Sequence, residues 1–82
     1  MASGNTDPVK SAQFPYVAIA EALRQRLAAG EWAPGAQLPT VGALAAEYRV
    51  SRATIAKAVE LLADEGLLVR VARWGIFRPE DG

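Results

Sequence analysis

Val50-Ser51-Arg52-Ala53-Thr54-Ile55-Ala56-Lys57-Ala58-Val59-Glu60-Leu61-Leu62-Ala63-Asp64-Glu65-Gly66-Leu67-Leu68 carries a helix whose start, stop and sidedness are all marked in the residues. The Ser51 hydroxyl can accept from the free amide of Thr54 in the first turn, and Gly66 can adopt the left-handed backbone that ends a helix. Between them Ile55, Ala58, Val59 and Leu62 recur at helical spacing and predict one buried stripe, while Arg52, Ala53, Ala56, Lys57 and Glu60 fall largely outside it. A helix over 51–65 with Ser51, Arg52 and Thr54 at its positive end is suited to phosphates and to base edges in a major groove. Taken alone, the stretch equally fits an ordinary amphipathic core helix, so its neighbours decide.

Upstream, Thr40 caps a short helix in which Val41, Leu44, Ala45 and Tyr48 mark the buried side. Only Arg49 and Val50 separate its end from the Ser51 cap, and so brief a connection forces a steep crossing, which is helix-turn-helix geometry. Small Ala45 and Ala46 are expected to let the two helices approach closely, with Val50 tucked into the core at the turn. Before this pair, Tyr16, Ile19, Ala20, Leu23 and Leu27 predict a first helix from Pro15 to a stop at Gly30, with Arg24 and Arg26 projecting away from the stripe. Residues 31–39 read as a turn-rich connector draped over the core, with Pro34-Gly35 setting the turn and Trp32 and Leu38 as anchors.

After Gly66 the pattern changes to 67–71 and 76–78, two short strands joined by a tight turn through Ala72, Arg73, Trp74 and Gly75 and ended by Pro79. The fold class is therefore mainly α with a small β-hairpin: a winged helix-turn-helix of three helices plus a two-stranded wing, over residues 14–79. Residues 1–13 show no apolar period and are read as a flexible tail, and 80–82 as a frayed end.

Eighty-two residues make one small domain, with no room for a second, ligand-sensing one, and no small-molecule effector pocket is expected. The chain has neither cysteine nor histidine, which removes thiolate nucleophiles, the commonest general base and the commonest metal ligands. The carboxylates lie on helix surfaces without a partner constellation, so neither an enzyme nor a metal or cofactor site is expected. No apolar run has the length of a membrane span and no secretory pattern opens the chain, which predicts a cytoplasmic protein without a membrane partner.

Nine basic residues against nine acidic ones give a net charge of zero, whereas nucleic-acid binding usually shows as a basic excess. Distribution matters more than the sum. Arg49, Arg52 and Lys57 occupy one stretch without an acid and Arg70, Arg73 and Arg78 another, while Asp7, Glu21, Glu31, Glu80 and Asp81 lie outside both. A basic face within a neutral total is one reading; pairing of these cations with Glu47, Glu60, Asp64 and Glu65 is the other.

The chain resembles the GntR family of bacterial transcription regulators in its N-terminal winged-helix domain, over nearly everything from Tyr16 to Phe77. The resemblance is carried by Tyr16, Ile19, Leu23, Leu27 and Gly30; by Pro34-Gly35 and Leu38-Pro39-Thr40; by Leu44-Ala45, Val50-Ser51-Arg52-Ala53-Thr54-Ile55, Ala58, Leu62 and Glu65-Gly66-Leu67-Leu68; and by Gly75 and Phe77. It implies double-stranded DNA as partner, a palindromic operator, two copies bound to it as a homodimer, and repression. Arg52 and Thr54 stand where family members touch DNA, and Ser51 matches the helix cap. The chain departs from the family at Val41 and Gly42, where an acid and an arginine are usual, and at Ala56-Lys57, where an arginine is usual. At the wing tip Arg73-Trp74-Gly75 replaces Gly-x-Gly and Ile76 replaces a threonine.

The residues assigned to DNA are thus Thr40, Arg49, Ser51, Arg52, Ala53, Thr54, Ala56 and Lys57 on the helices, and Arg70, Arg73, Trp74 and Gly75 on the wing. Ala53 and Ala56 offer methyls suited to thymine, or serve simply as helix formers. Arg73 can insert into a narrow minor groove; Trp74 either joins it or covers a core edge. The alternative function is a protein-interaction or assembly module, whose mark would be an exposed patch of Trp74, Ile76 and Phe77.

Overall fold

The computed structural model describes residues 14–80, so the tail expected over 1–13 and the last two residues of the expected frayed end lie outside the described residues. The chain forms α1 (Pro15–Ala28), α2 (Val41–Tyr48) and α3 (Arg52–Asp64), followed by β1 (Val69–Val71) and β2 (Gly75–Phe77). The two strands pair antiparallel, with Arg70 opposite Ile76.

Each helix end has a local cause. Pro15 occupies the first turn of α1, where its missing amide hydrogen is no loss. At the other end Gly30 is left-handed, with Gly30 N–H donating to Leu27 O and Glu31 N–H to Arg26 O, the paired bonds of a Schellman stop. α3 ends the same way: Gly66 is left-handed and donates to Ala63 O, and Leu67 donates to Leu62 O. Thr40 Oγ1 accepts from Ala43 N–H and Ser51 Oγ from Thr54 N–H. The stop of α2 has no glycine; Arg49 itself takes the left-handed conformation, φ 59°, and Val50 N–H donates to Ala45 O.

The core joins the stripes of all three helices: Ile19, Ala20, Leu23 and Leu27 from α1, Leu44 and Ala45 from α2, and Ile55, Ala58, Val59 and Leu62 from α3. Leu38, Leu68 and Ile76 close it from the connector and the hairpin. Burying each large aliphatic side chain contributes about 1.5–3 kcal/mol, and with no disulfide available this packing is what holds the fold. Tyr16, Val41, Tyr48 and Val50 are only half-buried against the core. Ala46 is exposed, so the approach of α2 to α3 relies on Ala45 and not on both alanines.

The connector differs from the expected loop. Gly35 N–H donates to Arg78 O, Arg78 N–H to Ala36 O and Leu38 N–H to Ile76 O, and Gln37 bridges Phe77 in antiparallel sense. Residues 35–38 thus lie alongside β2 of the two-stranded sheet, joined to it by these backbone bonds and one isolated bridge. The hairpin is also shorter than expected: Leu68 is buried before β1 begins, and Gly75 opens β2 instead of closing the turn.

Candidate nucleic-acid interface

The two capped helix starts frame the site. Neither α2 nor α3 carries an acid in its first turn, so the positive end of each helix dipole is uncompensated. Ser51 and Thr54 share a second contact, Oγ to Oγ1 at 3.0 Å, which fixes both hydroxyls at the start of α3. Ser51, Arg52, Ala53 and Lys57 are exposed, while Thr54 and Ala56 are half-buried, so Ala56 presents less methyl surface than its spacing implied.

The charges sort into two groups. Arg24 chelates Glu65 through Nε and Nη2 at 3.1 and 2.8 Å and also bonds Glu21. Arg26 holds Glu31 through Nε and Nη2, reaches Glu47 at 3.1 Å and the Tyr48 hydroxyl at 2.8 Å, and lies over the Trp32 ring. Their pKa values rise further above the ordinary arginine value, first because of the hydrogen bonds to Glu65 and to Glu31 respectively, and the Glu31 carboxyl is correspondingly lowered by Arg26. Arg78, expected in a basic stretch, turns inward and donates to the carbonyls of Trp32 at 2.6 Å and Leu27 at 3.4 Å. Arg70 lies on the same sheet face as buried Ile76 and is 3.8 Å from Glu60.

Of the cations in the two basic stretches, Arg70 alone makes an ion pair among the described residues, with Glu60. Arg24, Arg26 and Arg70 are paired; Arg49, Arg52, Lys57 and Arg73 make no ion pair among the described residues. The Lys57 ammonium sits 5.2 Å from the centre of the Tyr16 ring. Beside it an open cleft of about 400 Å³, lined by Phe14, Pro15, Tyr16, Ala53, Thr54 and Lys57, joins the start of α1 to the exposed face of α3. The sequence placed Tyr16 in the core because it continues the stripe of α1; its half-buried ring is instead shared between core and cleft.

At the wing tip Arg73 is left-handed, φ 73°, and Gly75 has φ 117°. Trp74 is 71 % exposed, which removes the reading that it covers a core edge. Its carbonyl is held at 2.6 Å by Gln37 Nε2, and a Cβ on Gly75 would come within 2.8 Å of that same nitrogen. Gln37 was not singled out in the sequence because nothing in a connector signals a bond to a turn so far along the chain. The patch expected of an assembly module does not form as drawn: Ile76 is buried and Phe77 half-buried, and the exposed apolar residues of the wing are Val69, Val71 and Trp74.

Three helices, a tight turn before a capped exposed helix, and a hairpin behind it define a winged helix-turn-helix. The chain belongs to the bacterial regulatory proteins of the gntR family, whose model matches residues 15–77. It is 38 % identical over 72 residues to the histidine utilization repressor of Klebsiella aerogenes, across 87 % of this chain and 30 % of that protein. It is 36 % identical over 66 residues to the mannosyl-D-glycerate transport/metabolism system repressor MngR of Escherichia coli K12, across 80 % of this chain and 28 % of that one. The chain thus spans less than a third of the length of these curated relatives. Among solved structures it is similar to AraR(DBD) in complex with operator ORE1, with a TM-score of 0.75 and 33 % identity over 77 % of each chain. It is likewise similar to the NTD of AraR in complex with mutant ORR3, again with a TM-score of 0.75 and 33 % identity, covering 77 % of this chain and 90 % of that one.

Proposed function

We propose that the chain acts as a DNA-binding transcription repressor that lays α3 in the major groove and sets the wing against the backbone or minor groove. One observation carries this reading: among the described residues Arg49, Arg52 and Lys57 make no ion pair around two helix starts without an acid in the first turn, while Arg24, Arg26 and Arg78 are taken up by carboxylates and carbonyls elsewhere. Cations left without counter-charge beside positive helix ends favour an anionic ligand, and exposed Ser51, Arg52, Ala53 and Lys57 supply base-reading groups next to phosphate-binding ones. The likeness to AraR bound to its operator and to repressors of utilization systems supports the same assignment. Thr40, Arg49 and Arg70 are assigned to phosphates. Arg52, Ala53, Thr54, Ala56 and Lys57 are assigned to the major groove, and Arg73, Trp74 and Gly75 to the minor groove.

The test is an NMR titration of the labelled chain with a random-sequence duplex and then with a selected palindrome, at low and moderate salt. Shifts clustered at 49–57 and 70–75 that weaken with salt are expected. Salt-tolerant silence toward both duplexes by the folded protein would abandon the reading in favour of an assembly module.

A further inference from the structure

Gly42 is the second residue of α2, inside a helix, where glycine is less favourable than alanine. The space its missing side chain leaves is taken. A Cβ built on Gly42 would lie 3.1 Å from Nη2 of Arg52 and 3.4 Å from both Cζ and Nε. Three atoms of one planar group at nearly equal distance mean that the guanidinium lies broadside over the glycine instead of touching it with one nitrogen. Arg52 has no ion pair among the described residues, and its guanidinium lies over the place that a side chain at Gly42 would take. A bidentate contact with O6 and N7 of guanine requires a set orientation of that plane, as a bidentate contact with phosphate does, and sequence preference is what separates the two.

Resting on the DNA-binding reading above, we propose that Gly42 is a positioning residue for sequence reading: by lacking a side chain it lets the Arg52 guanidinium lie across the first turn of α2, in the plane needed for a guanine edge. In the family's pattern this position usually carries an arginine of its own. Here one guanidinium, delivered from α3, occupies the space over α2.

The experiment enriches duplexes from a randomised library on the wild-type chain. It then measures the affinity of wild type, Gly42→Ala, Arg52→Ala and the double variant for the enriched duplex. Gly42→Ala is expected to raise the midpoint of thermal unfolding by about 4–8 °C, as for removal of a helical glycine from a domain this small. It is also expected to weaken binding about tenfold and to flatten the guanine preference at one position on reselection. In the Arg52→Ala background the alanine at 42 is expected to change affinity less than about twofold, because its effect acts through the absent guanidinium. Unchanged affinity and sequence preference in Gly42→Ala overturns the proposal, as does an equal loss in the Arg52→Ala background. A loss confined to the salt slope, with sequence preference intact, also overturns it and makes Arg52 a phosphate contact. If Gly42→Ala does not fold, the wild-type chain decides: nuclear Overhauser contacts between the Arg52 side-chain Nε–H and the Gly42 Hα protons are expected, and their absence rejects the placement. Failure of the wild-type chain to enrich any duplex fails the DNA-binding reading itself, and this proposal with it. Enrichment without a Gly42 effect fails this proposal alone.

Discussion

At the scale of single residues, Arg49 and Arg73 stand out because each holds a left-handed backbone that costs an L side chain roughly 1–2 kcal/mol. A glycine would be relieved of that strain at either position, yet both positions carry a cation that makes no ion pair among the described residues. Arg49→Gly is therefore expected to stabilise the chain by about 0.5–1 kcal/mol, the relief being partly offset by the greater freedom of glycine in the unfolded state. The same variant should lose about one unit from the slope of log affinity against log salt, the signature of one lost phosphate contact. A variant more stable but unchanged in salt slope would remove Arg49 from the interface. Glu31 behaves differently. Arg26 lowers its folded pKa, so the stabilisation it contributes is present above the ordinary glutamate value and is lost as pH falls through the lowered one. Urea titrations of wild type and Glu31→Gln should differ near neutrality and converge as pH drops below about 4. A gap independent of pH would mean that the pair holds nothing in solution.

At the scale of elements, the helix caps and the wing base make separable predictions. Ser51→Ala deletes the Thr54 amide acceptor and should cost about 1 kcal/mol, read as a drop in unfolding midpoint. Gly75→Ala meets two obstacles, a φ of 117° and the Gln37 amide at 2.8 Å, and should destabilise the wing by about 1–3 kcal/mol. Combining it with Gln37→Ala removes the collision but not the backbone strain, so the double variant should recover only part of the loss. Full recovery would show that φ is not the problem.

These elements also show what was legible in the chain. Ser51, Thr40, Gly30 and Gly66 act within four residues of themselves, so their chemistry could be read locally. The pairing of 35–38 with β2 could not, because its partners lie some forty residues on and its backbone bonds ask nothing of side-chain pattern. The same distance hid Gln37, and the burial of the Arg78 guanidinium against Trp32 O and Leu27 O. Arg49 escaped because a left-handed helix stop is ordinarily announced by glycine.

At the scale of the whole molecule, a formally neutral chain carries Arg49, Arg52, Lys57 and Arg73, which make no ion pair among the described residues, in α3, the turn before it and the wing tip. Affinity for random duplex should accordingly fall steeply with salt, despite the zero total. Leu62 is fully buried where the helices meet, and Leu62→Ala should cost about 2–5 kcal/mol and abolish binding by unfolding, unlike Arg52→Ala, which should weaken binding with the unfolding midpoint intact. Two copies on a palindrome would place two α3 helices about 34 Å apart, so inserting half a helical turn between the half-sites should destroy paired binding. Equal affinity for both spacings would show that the copies bind independently.

The stretch 35–38 has one more consequence. It ties β2 to residues only two positions ahead of the Thr40 cap, and Gln37 extends the tie to the wing tip. Tip, sheet and the approach to α2 are therefore tied by hydrogen bonds, like the two jaws of a gauge. On the proposed DNA-binding reading, such a tie favours one separation between adjacent grooves, and duplexes under- or overwound between them are expected to bind less tightly even where every base is right.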